Sequence, residues 1–164
     1  MTTIGTAATT QVYQTYIKAT PEAVWNGLTT AEQTTAYGYR SPVEYDLEVG
    51  GAFRAYPSEE MRSMGAADVI IEGEVLEVDA PRKLVQTWHA LFDETTAAET
   101  VTRLSFELEE AWEGVIKLTL THELGGAPIT AALVSGSMPN TGGGWSFMLS
   151  DLKTLLETGA SLSC

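Results

Sequence analysis

Two polar side chains interrupt the apolar phase of the strand-like segments, and they are the residues best equipped for chemistry. His122 closes Ile116-Lys117-Leu118-Thr119-Leu120-Thr121-His122 in phase with Leu118 and Leu120, and Gln86 sits between Leu84 and Trp88 at the same two-residue spacing. A polar group on an apolar face costs about 1–3 kcal/mol unless it is paired, so each must find a partner. His122 has two readings: a core histidine bonded to a backbone carbonyl or water, or a ligand-orienting or proton-exchanging group. Gln86 reads as structural. The same inward phase collects Tyr45, Leu47, Phe53, Leu104 and Phe106 around them.

Other chemistries find little support. The two histidines, His89 and His122, have no cysteine or close carboxylate pair beside them, so no metal site is expected. Gly142-Gly143-Gly144 lacks the Lys-Ser/Thr of a phosphate loop, and Ser135-Gly136-Ser137 has no neighbouring base. The acidic pairs Glu59-Glu60 and Glu109-Glu110 read as solvated loop charges. With 22 acidic and 9 basic residues the net charge is −13, which repels nucleic acid and anionic lipid. Cys164 is the only cysteine, no leader peptide or membrane-length apolar run is evident, and a cytoplasmic location is expected.

The elements that must position these residues begin with a strand over Val12 to Ala19. Thr20-Pro21-Glu22 then signals a helix start, and Thr30 with Gln33 a capping box for a second short helix ending near Tyr37-Gly38. Alternation predicts a strand from Val43 to Val49 and a Gly50-Gly51 hairpin into Ala52–Tyr56. Four more strands are predicted over 68–78, 84–91, 100–108 and 115–123. Met61 and Met64 fall in a loop that could form a mobile lid. The last element is a long helix, with Trp145, Met148, Leu149, Leu152, Leu155 and Leu156 on one face. Trp145 reads as a packing anchor or a ligand contact, and Met148 as an adaptable wall. Grouped strands with a terminal helix predict an α+β domain over residues 11–158, between a flexible 1–10 and a tail of 159–164.

Ala19 to Thr29, Val49-Gly50-Gly51-Ala52-Phe53, Gly73 to Leu84, Thr87-Trp88, Leu118 to His122 and Gly144 to Leu156 stand in an order that resembles the SRPBCC (START-like, helix-grip) superfamily. The nearest branch is similar to the C-terminal domain of the activators of heat-shock-protein-90 ATPase. The resemblance implies a curved antiparallel sheet of about seven strands gripping the C-terminal helix, with a cavity between them closed by the two short helices. It also places an aromatic, Tyr37, at the cavity mouth as a candidate gate.

The function expected is binding of a small lipophilic or aromatic molecule in that cavity, without a cofactor, by a monomer or homodimer. The candidate lining is Tyr37, Tyr45, Phe53, Gln86, Trp88, Phe106, His122, Trp145 and Met148. Two alternatives stand beside it. One is a cyclase- or aromatase-like enzyme with His122 and Tyr45 or Tyr37 moving protons; the other is a chaperone-regulating interaction module. The activators' additional N-terminal domain has no counterpart in these residues, so little chaperone stimulation is expected.

Overall fold

A computed structural model of the chain describes residues 9–138 and 142–162; residues 1–8 of the expected N-terminal segment and Cys164 lie outside the described residues. The strands are β1 (Thr10–Lys18), β2 (Val43–Tyr45), β3 (Ala52–Ala55), β4 (Ile71–Asp79), β5 (Lys83–Ala90), β6 (Thr102–Trp112) and β7 (Val115–Glu123). They form one antiparallel sheet in the order β1-β7-β6-β5-β4-β3-β2. β1 and β2 are therefore opposite edges, and the chain between them must cross the whole sheet. Register shifts at Val75/Glu77 and Glu110/Trp112 add residues to one strand of a pair, which bends the sheet toward its apolar face.

That crossing is made by α1 (Pro21–Thr29) and α2 (Ala31–Thr34), each capped by the threonine before it. Short helices α3 (Glu59–Ser63), α4 (Glu94–Ala97) and α5 (Pro128–Val134) sit in the loops, and α6 (Gly144–Thr158) lies across the concave face. The core is the layer between sheet and helix: Ile17, Leu84, Leu104, Leu118 and Leu120 from the strands, Val24 from α1, and Leu149 and Leu152 from α6 are all buried. Among the described residues no helix is long and apolar enough to cross a membrane.

Three expectations need correction. β2 ends at Tyr45, and Leu47 and Val49 are exposed, at 39% and 70%. The backbone there turns on itself instead of laddering, through Glu48 N to Asp46 O and Gly51 N to Glu48 O, so the alternation of 46–49 faces solvent. α2 stops at Thr34, three residues short of Tyr37. The segment around Met61 is a helix, started by Ser58 Oγ accepting from Met61 N, and not an open loop. Met61 packs on the core while Met64 is exposed.

α5 went unforeseen, and its start is stabilised from a distance. Glu99 accepts from the backbone N–H groups of Ile129 and Thr130 at 2.7 and 2.9 Å and from the Thr130 hydroxyl. Burial works to raise the Glu99 carboxyl pKa, but these bonds together hold it below the ordinary carboxylate range.

Candidate functional site

The site begins with β-strand alternation, which aims Trp88, Thr102 and His122 at the underside of α6, where Trp145 opens the helix. His122 is fully buried. Its Nδ1 lies 3.0 Å from Trp145 Nε1, its Nε2 lies 2.8 Å from Thr102 Oγ1, and Thr102 Oγ1 donates to the Trp88 carbonyl at 2.6 Å. These partners dictate the tautomer. An indole nitrogen only donates, so Nδ1 must be the acceptor; the threonine proton is committed to Trp88 O, so Nε2 carries the hydrogen and Oγ1 receives it. The imidazole is neutral with every polar atom paired. Burial drives its pKa down to about 3, because a charged ring would lose its hydration and displace the Trp145 donor.

Gln86 is also fully buried and paired, accepting from the Tyr45 hydroxyl at 2.5 Å and donating to Thr87 O at 3.2 Å. Tyr37 is 3% exposed and donates to Gly27 O in α1 at 2.8 Å. It is a buried wall and not a gate at the mouth. Both phenols are raised far above their ordinary pKa, first by burial, so neither is an acid or base near neutral pH.

Next to this closed network is a cavity of about 400 Å³, a size suited to one small organic molecule. Tyr37, Tyr45, Phe53, Trp88, Phe106, Trp145 and Met148 line it, joined by Met61, Leu104, Leu149 and Leu152. Gln86 and His122 lie behind that wall. Tyr45 and Phe53 pack at 4.7 Å between ring centroids, and Trp88 and Trp145 at 5.9 Å. Among the described residues no group of three or more His, Cys, Asp or Glu side chains could hold a metal ion.

Residues 37–41 strap the mouth to α6. Gly38 N donates to Asp151 at 2.8 Å, the Tyr39 hydroxyl accepts from Gly144 N at 3.0 Å, and Arg40 donates to Ser161 Oγ at 3.2 Å. Gly38 has φ 60°, which favours glycine, and a Cβ there would meet Met148 Sδ at 2.6 Å and push that side chain aside. Arg40, at φ 59°, holds a left-handed backbone that costs a non-glycine residue about 1 kcal/mol.

Asp151, buried on α6, also accepts from Leu162 N at 2.6 Å and from Ser161 Oγ at 3.0 Å. Burial acts to raise its pKa, and the bonds from Leu162, Gly38 and Ser161, with the Arg40 charge, outweigh it and hold the carboxyl below its ordinary range. Sequence reasoning passed over Asp151 and Thr102. Both gave a signal: Asp151 lies three residues after Met148, on the buried flank of the helix, and Thr102 is in phase with Leu104 and Phe106.

The family model described as activator of Hsp90 ATPase homolog 1-like protein matches residues 18–157. The chain belongs to that family. No curated protein sequence matches it. Solved structures share the helix-grip fold. An HSP90 activator from Plasmodium falciparum is 22% identical with a TM-score of 0.63, over 91% of this chain and 96% of that one. An Aha1 dimer from Colwellia psychrerythraea is 19% identical with a TM-score of 0.65, over 92% and 97%. DynU16, a protein of the dynemicin biosynthetic locus, is 17% identical with a TM-score of 0.67, over 93% of this chain and 49% of that one. At these identities the likeness concerns fold.

Proposed function

We propose that this family member binds a small lipophilic or aromatic molecule, without a cofactor, in the cavity beneath α6, within a domain spanning residues 11–158. The observation that carries this reading is a cavity of about 400 Å³, open at its mouth, with mainly aromatic and aliphatic walls. The catalytic alternative needs polar groups converging on the space. Here the Tyr37 and Tyr45 hydroxyls and both His122 nitrogens point to protein partners, which supports a binder over a cyclase or aromatase. The neighbour from a biosynthetic locus is consistent with small-molecule chemistry nearby. The working form is a monomer or a homodimer, and the Colwellia neighbour is a dimer.

The test is titration with a neutral fluorescent probe such as N-phenyl-1-naphthylamine. Binding at about one site per chain, with altered tryptophan emission, is expected. A ~100-fold excess over the dissociation constant should add about 2.7 kcal/mol of stability. Unchanged emission and melting temperature across such probes would remove the proposal.

A second reading follows from the family description and the Plasmodium neighbour: contact with a heat-shock-protein-90 ATPase. Several-fold stimulation of that ATPase at stoichiometric protein would favour it over the first.

A further inference from the structure

The inventory of hydrogen-bonding groups around the cavity is lopsided, and it narrows the ligand. The Tyr37 and Tyr45 hydroxyls and the Trp145 indole N–H, all on lining residues, are committed to protein acceptors. Trp88 differs. It is 4% exposed and lines the same cavity, yet its indole N–H has no hydrogen-bond partner among the described residues. Every fully buried side-chain nitrogen or oxygen among those residues is paired, so the Trp88 nitrogen must border open space. Trp88 lines the cavity, which is the open space beside it.

A lone neutral donor on an aromatic wall has a definite ligand preference. It can pair one carbonyl or ether oxygen, which otherwise loses its water on entering. It cannot compensate a carboxylate, whose desolvation needs several donors or an opposing charge. The charged lining residues do not supply one. Arg40 is bonded to Ser161 and faces Asp151, and Asp93 is itself an anion, occupied in capping α4. The net charge of −13 further disfavours an anion at the mouth.

From this we infer that the cavity selects a neutral aromatic ligand carrying one hydrogen-bond acceptor, which docks on the Trp88 indole N–H; Trp88 is the specificity-determining residue. This rests on the proposed binding function and sharpens it to a ligand class.

Three probes of one shape separate the possibilities by calorimetric titration: 2-acetylnaphthalene, which has the acceptor; 2-ethylnaphthalene, which lacks it; and 2-naphthoate, which carries a charge. The wild type should bind the ketone about three- to tenfold more tightly than the hydrocarbon, the range one net hydrogen bond provides, and the anion most weakly. In Trp88→Phe, which keeps an aromatic wall, the ketone should lose its advantage over the hydrocarbon, whatever the change common to both. Circular dichroism checks that the variant is folded. Trp88→Tyr, which returns a hydroxyl donor to the wall, serves as a second variant and should restore part of the preference if Trp88→Phe does not fold. Equal affinities for ketone and hydrocarbon in the wild type, a preference that survives in Trp88→Phe, or tightest binding of naphthoate would each overturn the inference while leaving cavity binding intact. Binding of none of the three overturns cavity binding and this inference with it.

Discussion

Two tryptophans stand side by side under α6 with ring centroids 5.9 Å apart, and their N–H groups meet opposite fates. Trp145 donates to His122, which donates to Thr102, which donates to the carbonyl of Trp88, so one end of the layer is a closed circuit of paired polar atoms. The Trp88 N–H, without a hydrogen-bond partner among the described residues, is the donor inferred above to face the apolar space. The difference teaches how one small core separates stability from recognition. A buried network completed internally fixes a single arrangement and leaves nothing for a visitor. In the binding function proposed above, a wall with one spare donor is the part left to choose a ligand.

The sharpest way to break this contrast is truncation of the two indoles. Trp145→Phe keeps an aromatic ring but orphans His122 Nδ1, which should cost about 1–3 kcal/mol in denaturant melts beyond the lost ring volume. Trp88→Phe loses the same ring volume but orphans no acceptor, so it should cost about 1–3 kcal/mol less than Trp145→Phe. Equal losses would mean that the cavity wall is as structural as the circuit.

His122→Leu comes next, at about 1–3 kcal/mol, because it leaves the Trp145 donor unpaired. His122→Gln, able to accept at one atom and donate at the other, should recover much of that loss. Unchanged stability in His122→Leu would show that the circuit contributes nothing.

The same histidine gives the fold a pH dependence of known sign. Its folded pKa lies near 3, below the ordinary 6.5, so the unfolded chain binds a proton that the folded one refuses. The contribution is fully present above about pH 6.5 and declines as pH falls toward 3, by about 1.4 kcal/mol per unit within that window. Between pH 6 and 5 the depressed carboxyls Asp93, Glu99, Asp151 and Glu157 stay mostly ionised in both states, so most of the slope belongs to His122 and should flatten in His122→Gln. An identical slope in that variant would place the linkage elsewhere.

The smallest expected change in stability sharpens the other side. Ala55→Leu extends a buried side chain of β3 into the cavity. It should shift stability by no more than about 1 kcal/mol while weakening N-phenyl-1-naphthylamine at least tenfold. Retained probe affinity would move the site away from this space.

Much of this architecture was legible in the sequence, for physical reasons that differ by element. Period-two alternation in 116–122 and the apolar stripe of 145–156 are signals that burial itself imposes, so β7 and α6 stand where they were expected, whereas β2 is shorter and β6 runs on to Trp112, through the loop expected at 109–114. Tyr45-Asp46-Leu47-Glu48-Val49 shows where alternation misleads: the same pattern serves a turn whose polar backbone is satisfied locally. Of the proposed lining residues, seven reach the cavity, whereas Gln86 and His122 share the inward phase but lie one layer deeper. Alternation reports which face a side chain takes and not what covers it, and pairing partners such as Thr102 and Tyr45 become visible only in three dimensions.

The strap over residues 37–41 has a consequence for how mutations will map onto phenotype. One carboxylate, Asp151, receives the amides of Gly38 and Leu162, which are 124 positions apart in the chain. A change after Thr158, in a stretch that looks dispensable on a linear map, is therefore mechanically a change at the cavity mouth. Genetic screens of this protein should find ligand-exchange variants clustering in two distant stretches, and pairs drawn one from each should be non-additive.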